Sequence, residues 1–190
     1  MHRPADSAHA EHAQSSSLTE AVIRRFVEHW GMMARAWGIN ATMGELFALL
    51  YITAEAWTAD DLRRWLRVSR GNVSMNLREL LSWGVVHKVH RQGERRELFQ
   101  AEADVWTLFR RILTERKRRE LAPTLLLLEE TNRQTETEQM LRELNERIEP
   151  LKRFFTSIDS LTDRLLTLNS REFDDLSRLL GSDEEASTPG

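Results

Sequence analysis

Several residue types and patterns are missing from this chain of 190 residues, and each absence excludes a class of protein. There is no cysteine, so disulfide bonds, thiolate metal sites and cysteine nucleophiles are excluded. No apolar run approaches the roughly 18 residues that a membrane-spanning helix needs, so we expect no membrane partner. The N-terminus lacks the charged and then apolar segments of a secretory signal peptide, which favours a cytoplasmic location.

Catalytic and metal-binding patterns are lacking as well. No glycine-rich loop follows a predicted strand, so the sequence offers no phosphate-binding motif. His87 and His90 are three residues apart on a predicted strand and would point to opposite faces of a sheet. The other His residues near the N-terminus, His2, His9 and His12, lie in a polar segment that we expect to be disordered. We therefore expect no enzymatic activity, no cofactor and no metal.

Charge is unevenly distributed in a chain whose formal net charge is only -3. Residues 62–100 contain nine Lys or Arg and three Asp or Glu, whereas residues 129–190 contain eight Lys or Arg and fifteen Asp or Glu. A basic block inside an acidic chain favours a localised site for a polyanion. An ordinary solvated basic face would give the same counts, so charge alone does not decide.

Helical patterns dominate what is present. Apolar residues recur at steps of three and four over most of the chain. Capping boxes at Ser17–Glu20, Thr42–Glu45 and Asn169–Glu172 and a cap at Thr58 predict helix starts, and Ser69 or Arg70 starts a fourth helix. Two glycines, Gly38 and Gly84, predict helix ends.

The remaining elements follow from two changes of pattern. Residues 85–91 are rich in β-branched side chains, residues 92–95 are typical of a turn, and residues 96–101 read as the returning strand of a β-hairpin. A helix then begins near Ala103, Pro123 interrupts or restarts it, and a further helix spans about residues 124–147. Pro150 either kinks one helix or separates two.

These elements predict a mainly α chain with one small β-hairpin, arranged as a winged helix-turn-helix followed by long C-terminal dimerisation helices. Residues 1–17 are expected to form a disordered N-terminal tail. Residues 18–101 hold the N-terminal helix and the winged DNA-binding domain, and residues 102–181 form the helical dimerisation region. Residues 182–190 are expected to form a disordered acidic tail.

The candidate site is the recognition helix together with the hairpin, or wing. A recognition helix keeps an apolar stripe on its own domain, here Val73, Leu77, Leu80 and Leu81, and turns polar side chains to the major groove. The candidate DNA-binding residues of this helix are Ser69, Arg70, Asn72, Ser74, Met75, Asn76 and Arg78. The wing adds Arg91, Arg95 and Arg96 near its tip. A solvated turn explains any one of the wing residues, but the helix and wing together favour double-stranded DNA as the partner.

Three stretches, Ser69–Leu80, Trp83–Val86 and Gly93–Phe99, resemble the GbsR-like branch of the MarR-type winged helix-turn-helix regulators. The resemblance extends over roughly residues 18–113 and is looser in the C-terminal helices. It implies a homodimer that binds a pseudo-palindromic operator, with N-terminal and C-terminal helices at the interface. Such a regulator is a repressor or an activator, and we expect a repressor because no separate activation surface is recognisable.

The residues themselves also favour dimerisation. An apolar stripe runs from Leu141 to Leu168 along helices whose other face is strongly charged, so this stripe must be buried. It packs either against a second copy of the chain, which we favour, or against the winged domain. A different class of function is also open, namely a protein-interaction adaptor that keeps the fold without specific DNA binding. The clustered arginines of the candidate site argue against the adaptor.

A small-molecule effector is a further open question, because some members of the family that this chain resembles are linked to choline or betaine sensing. A quaternary ammonium group needs an aromatic cage. Trp30 and Trp37 are one heptad apart and could share a surface with Trp106 or Phe109. Aromatic residues at helical spacing more often belong to a core, so we assign no effector-binding residue.

Overall fold

A computed structural model describes the backbone of residues 5–136 and 142–181 and the side chains of residues 17–134 and 143–179. The helices are α1 (Ala5–Ala36), α2 (Ala41–Thr53), α3 (Ala59–Leu66), α4 (Arg70–Ser82), α5 (Val105–Arg116), α6 (Ala122–Glu136), α7 (Arg142–Thr167) and α8 (Ser170–Gly181). The strands are β1 (Trp57–Thr58), β2 (Val86–Val89) and β3 (Leu98–Ala101). The predicted class, mainly helical with a small hairpin, is confirmed. The predicted acidic tail, residues 182–190, lies outside the described residues.

The chain divides into two units, with the boundary between Asp104 and Val105. The first unit contains α1 to α4 and all three strands, and the second contains α5 to α8. The predicted division of function between residues 18–101 and 102–181 remains a prediction.

Local capping explains most helix starts. Thr58 accepts a hydrogen bond from the backbone N–H of Asp61 at the start of α3, and Ser69 accepts one from the N–H of Asn72 at the start of α4. Before α8, the Asn169 side chain and Glu172 cap each other's backbone N–H groups, as a capping box requires. These three predicted caps are confirmed.

Two other predicted caps are wrong. Asn40 caps α2 by accepting from the N–H of Thr42, so this helix starts at Ala41 rather than after Thr42. The box at Ser17 lies inside α1, which begins at Ala5 and covers part of the segment expected to be disordered. Residues 5–17 contain several alanines and neither glycine nor proline, so nothing in this segment breaks the helix. Residues 1–4 lie outside the described residues.

The first unit is built around a buried layer of leucines from α2, α3 and α4. Leu46, Leu49, Leu50 and Leu62 are fully buried, and Leu80 is nearly so. The sheet has the order β1-β3-β2 with antiparallel pairing. The two-residue strand β1 was not predicted, because so short a segment has no period of its own and pairs only through β3.

Helices α1 and α2 approach each other closely at Gly44. A Cβ atom at this position would lie 2.5 Å from the Cβ of Ala34 and 3.0 Å from the carbonyl oxygen of Trp30. Real Cβ atoms do not tolerate the shorter distance, so the crossing requires glycine. Glycine at 44 therefore fixes where α2 rests on α1.

In the second unit, helical structure continues past both prolines. A π-helical turn, Lys117–Leu121, joins α5 to α6, and Pro123 follows in the first turn of α6. Helix α7 runs through Pro150 without a break, so this proline does not separate two helices. The predicted helix over about 124–147 corresponds to most of α6 and the start of α7, and residues 137–141 between them lie outside the described residues.

An aromatic cluster and an ion-pair group hold the second unit together. The Trp106 ring lies 5.2 Å from that of Phe109 and 4.7 Å from that of Phe173, centroid to centroid. The indole N–H of Trp106 also donates to the carbonyl oxygen of Leu168 at 3.1 Å. Lys117 in the π turn pairs with Asp159 and Asp163 of α7. These contacts tie α5 and the π turn to α7 and α8.

Candidate nucleic-acid interface

The turn between α3 and α4 has the tight geometry of a helix-turn-helix. Arg67 ends α3 in the left-handed region with φ of 56°, and the N–H of Val68 donates to the carbonyl of Arg63 at 3.3 Å. Ser69 then caps α4 directly. Three residues therefore redirect the chain between the two helices, and α4 is held by its own cap and by packing on α2 and α3.

Helix α4 has a buried face and an exposed face, as a recognition helix requires. Val73, Leu77 and Leu80 of the predicted stripe are buried, and Leu81 is half-buried. The exposed positions are Ser69, Arg70, Gly71, Ser74, Met75, Arg78 and, at the end of the helix, Ser82. Five of the seven candidate DNA-binding residues of this helix therefore lie on one accessible surface, which we call the α4 outer face. The Arg78 Nε donates to the Ser74 carbonyl at 3.4 Å, so this arginine lies along the helix.

The two asparagines of α4 differ from the prediction. Asn76 is only 2% exposed, so its expected place on the outer face is wrong. Its Nδ2 donates to the backbone oxygen of Asn72 at 2.9 Å and to the Oδ1 of Asn72 at 2.6 Å. The Nδ2 of Asn72 in turn donates to the hydroxyl of Thr42 at 3.3 Å. Both amides are therefore used inside the unit, and this bonded chain links α4 to the start of α2.

The wing has two kinds of arginine. Arg91 and Arg95 are exposed, and so is Arg96. Arg96 donates through Nε and Nη2 to the two carboxylate oxygens of Glu94 at 3.0 and 2.7 Å. Its backbone N–H donates to the same carboxylate, and these bonds lower the pKa of Glu94 to about 2. The charge of Arg96 is therefore largely balanced within the wing.

Pairing distinguishes these cations further. Among the residues that the structure describes, Arg70, Arg91 and Arg95 have no carboxylate within ion-pair distance. The same holds for Arg78, which donates to a backbone carbonyl oxygen and not to a carboxylate. Lys88 of β2 pairs with Glu97 at 2.5 Å. The uncompensated charges are thus two on α4 and two near the wing tip. Exposed unpaired guanidinium groups are well suited to phosphate oxygens and to guanine.

A cleft of about 520 Å³ separates α4 from the hairpin. Its floor is apolar, with Val73, Leu77 and Phe99, and Arg70 and Lys88 lie on its rim. The cleft places the recognition helix and the wing as neighbours around a partly basic groove. The predicted combination of helix and wing is thus one continuous surface of the first unit.

Three residues of this surface were not among the predicted DNA-binding residues. Thr42 holds the Asn72 amide, Lys88 lines the cleft, and Gly71 leaves the first turn of α4 bare. Lys88 could have been found from its place on the predicted hairpin. Thr42 was predicted only as a helix cap, and nothing in the sequence indicated its bond to α4, which spans thirty positions in the chain.

Of the aromatic residues considered for an effector, Trp37 is 56% exposed, whereas Trp30, Trp106 and Phe109 contact other rings within their own units. Trp30 stacks on Phe26 with ring centroids 5.1 Å apart, and Trp106 belongs to the cluster with Phe109 and Phe173. For Trp30, Trp106 and Phe109, this arrangement is the one expected of core aromatics. Within the described ranges, no group of three His, Asp or Glu is placed to hold a metal ion. None of the described helices has the length and apolar character needed to cross a bilayer.

Comparison with known proteins identifies regulators as relatives. YvaV of Bacillus subtilis (strain 168), a putative HTH-type transcriptional regulator, is 25% identical over 93 residues, 49% of this chain and 52% of the relative. The HTH-type transcriptional repressor GbsR of the same organism is 29% identical over 94 residues, 50% of this chain and 52% of the relative. The chain therefore spans about half the length of the curated relatives it matches. No protein-family model matches the chain.

The fold has a counterpart among solved structures. A crystal structure of a transcriptional regulator matches with a TM-score of 0.58 and 21% identity, over 76% of this chain and 95% of that chain. The chain has the winged helix-turn-helix architecture that the sequence predicted. The resemblance to the GbsR-like branch of regulators is confirmed as well, since GbsR itself is among the relatives.

Proposed function

We propose that this chain is a transcriptional regulator that binds double-stranded DNA through the α4 outer face and the wing. The observation that carries the proposal is the exposed, cationic face of a capped helix in a helix-turn-helix, next to a hairpin with two unpaired arginines. The similarity to HTH-type regulators supports the same reading. A polyanion is the partner that this charge pattern fits.

The two parts of the surface would contribute differently. Arg70, at the start of α4, is suited to a guanine edge, and Ser74 and Arg78 to base edges or phosphates in the major groove. Arg91 and Arg95 of the wing would contact phosphates or the neighbouring minor groove. Phosphate contacts set affinity but carry little sequence information.

We further propose that the regulator acts as a homodimer through the second unit. Helix α7 packs against α6, yet it leaves large apolar side chains in water. Leu144, Leu151, Phe154 and Leu161 are 52%, 49%, 60% and 56% exposed. Exposed apolar rows of this kind mark protein interfaces, and a second copy offers an identical row. Two recognition helices about 34–36 Å apart would then read a pseudo-palindromic operator.

The proposed regulation is repression, with DNA affinity open to control by a small molecule. GbsR carries the name of repressor, which favours repression here. The place of action is the cytoplasm, where a bacterial regulator meets chromosomal DNA. A small-molecule effector would act by changing DNA affinity, and no described residue is assigned to it.

The test is binding of the purified chain to its own upstream intergenic DNA, measured by fluorescence anisotropy in a salt series against a scrambled duplex. We expect preferential binding that weakens steeply with salt. Arg95→Ala should lower affinity for both duplexes and reduce the salt slope by about one per bound subunit, because each subunit loses one phosphate contact. Arg171→Ala removes an exposed charge from α8 and should leave both quantities unchanged. Absence of binding even at low salt would refute the proposal and favour the protein-interaction adaptor.

A further inference from the structure

One side chain on the α4 outer face is apolar, whereas its neighbours are polar or charged. Met75 is 52% exposed, whereas the positions around it, Arg70, Ser74 and Arg78, are polar or charged. The apolar stripe of α4 is complete without it, since that stripe lies on the opposite side of the helix. The apolar stripe that packs α4 on the first unit therefore does not require the side chain of Met75.

Gly71 lies one turn before Met75 on the same face. A Cβ atom at Gly71 would have no atom within 4 Å, and its φ is not in the left-handed region. Neither packing nor backbone conformation therefore requires glycine here, although glycine is a poor helix former. The missing side chain leaves an open gap beside the methionine, on the surface that would enter a groove.

Fewer polar side chains of this surface are available to contact base edges than the sequence indicated. Asn is the side chain suited to adenine, but the amides of Asn72 and Asn76 are bonded within the unit. What remains is an apolar patch of Met75 and the bare backbone of Gly71, with Arg70 before it and Arg78 after it along the helix.

We infer that Met75 contacts the C5 methyl group of a thymine, which fits into the gap at Gly71. Thymine alone among the four bases presents a methyl group in the major groove, so an apolar patch flanked by cations would select it. The inference rests on the proposed function, because it requires α4 to lie in that groove. It makes Met75 a specificity-determining residue for the DNA sequence.

The experiment begins by selecting the duplexes that the full chain prefers from a randomised pool. Each thymidine of the best duplex is then replaced in turn by deoxyuridine, which lacks only the methyl group. At one thymine position in each half-site the parent should lose about fourfold in affinity, the equivalent of one buried methyl group. Met75→Ala should bind the two duplexes equally. Met32→Ala, which removes another exposed methionine from α1, should respond as the parent does.

Gly71→Ala provides a second measurement in a variant that has room to fold. Its added methyl group would fill the gap, so it should lose affinity for the thymine duplex and keep its affinity for the deoxyuridine duplex. Equal binding of thymine and deoxyuridine duplexes by the parent at every position would overturn the inference alone. A fourfold loss that persists in Met75→Ala would do the same. A chain that enriches no duplex overturns the proposed function and this inference with it.

Discussion

Replacement of Asn76 tests the bonded chain that links the recognition helix to α2. In Asn76→Ala, two hydrogen bonds from Nδ2 to Asn72 are lost. Each such bond contributes about 0.5–1.5 kcal/mol net, so the free energy of unfolding should fall by about 1–3 kcal/mol. Asn76→Asp keeps the volume but places an acceptor where the donor stood, facing two oxygens at a position that is 2% exposed. An unpaired buried charge costs about 3–5 kcal/mol, so the aspartate variant should be the less stable of the two at neutral pH.

The pH dependence separates this explanation from a packing effect. Burial and the two facing oxygens would raise the pKa of the introduced carboxyl above the value of about 3.9 in the unfolded chain. The extra destabilisation should therefore be small below about pH 4, where the group is protonated in both states and can donate one bond. It should grow as the pH rises toward the folded-state pKa and stay constant above it.

The measurement is urea denaturation of the parent and both variants at several pH values and one protein concentration. Asn40→Asp is the matched control, because asparagine and aspartate cap helices about equally well and this side chain is exposed. It should differ from the parent by less than about 0.5 kcal/mol. If Asn76→Asp were as stable as Asn76→Ala at all pH values, the amide of Asn76 would not be donating to Asn72, and the reasoning would be refuted.

Two further predictions concern the wing and the dimer. Glu94→Gln should release the charge of Arg96 and raise affinity for all DNA sequences, with a salt slope steeper by up to about one per bound subunit. Because the pKa of Glu94 is lowered to about 2, its carboxylate is ionised throughout neutral pH, and the effect should be constant from about pH 5 to about pH 8. An unchanged salt slope in anisotropy would mean that Arg96 does not reach DNA. Phe154→Asp, at a side chain 60% exposed in the single chain, should give a folded monomer by light scattering and circular dichroism. A variant that stayed dimeric would exclude this row as the interface.

The parts of the fold that could be predicted are those decided within a few residues. Thr58, Ser69 and the Asn169 box were found because each caps a backbone N–H three positions along. The box at Thr42 was misassigned because Asn40, two residues earlier, is an equally good cap. Pro150 was undecided from the sequence, since a proline alone does not say whether tertiary packing keeps the helix continuous.

The candidate site was less predictable, because side-chain partners decide it. The inward position of Asn76 had a signal that its polarity concealed, since it lies three residues after Val73 and four before Leu80, on the buried side. The pairing of Arg96 with Glu94 had none, because periodicity says nothing about which exposed charges meet. The sequence therefore predicted the surface, while the structure divides its cations into paired and unpaired.

The glycine at the crossing of α1 and α2 has a mechanical consequence. Since the backbone at Gly44 packs closely against Ala34 and Trp30, α2 cannot shift along α1 without a steric clash. Thr42, half a turn earlier in α2, is bonded to Asn72 in the first turn of α4. The long N-terminal helix, the second helix and the recognition helix are thus mechanically coupled through these two contacts. A tilt imposed on α1 would be transmitted to the angle at which α4 meets a groove.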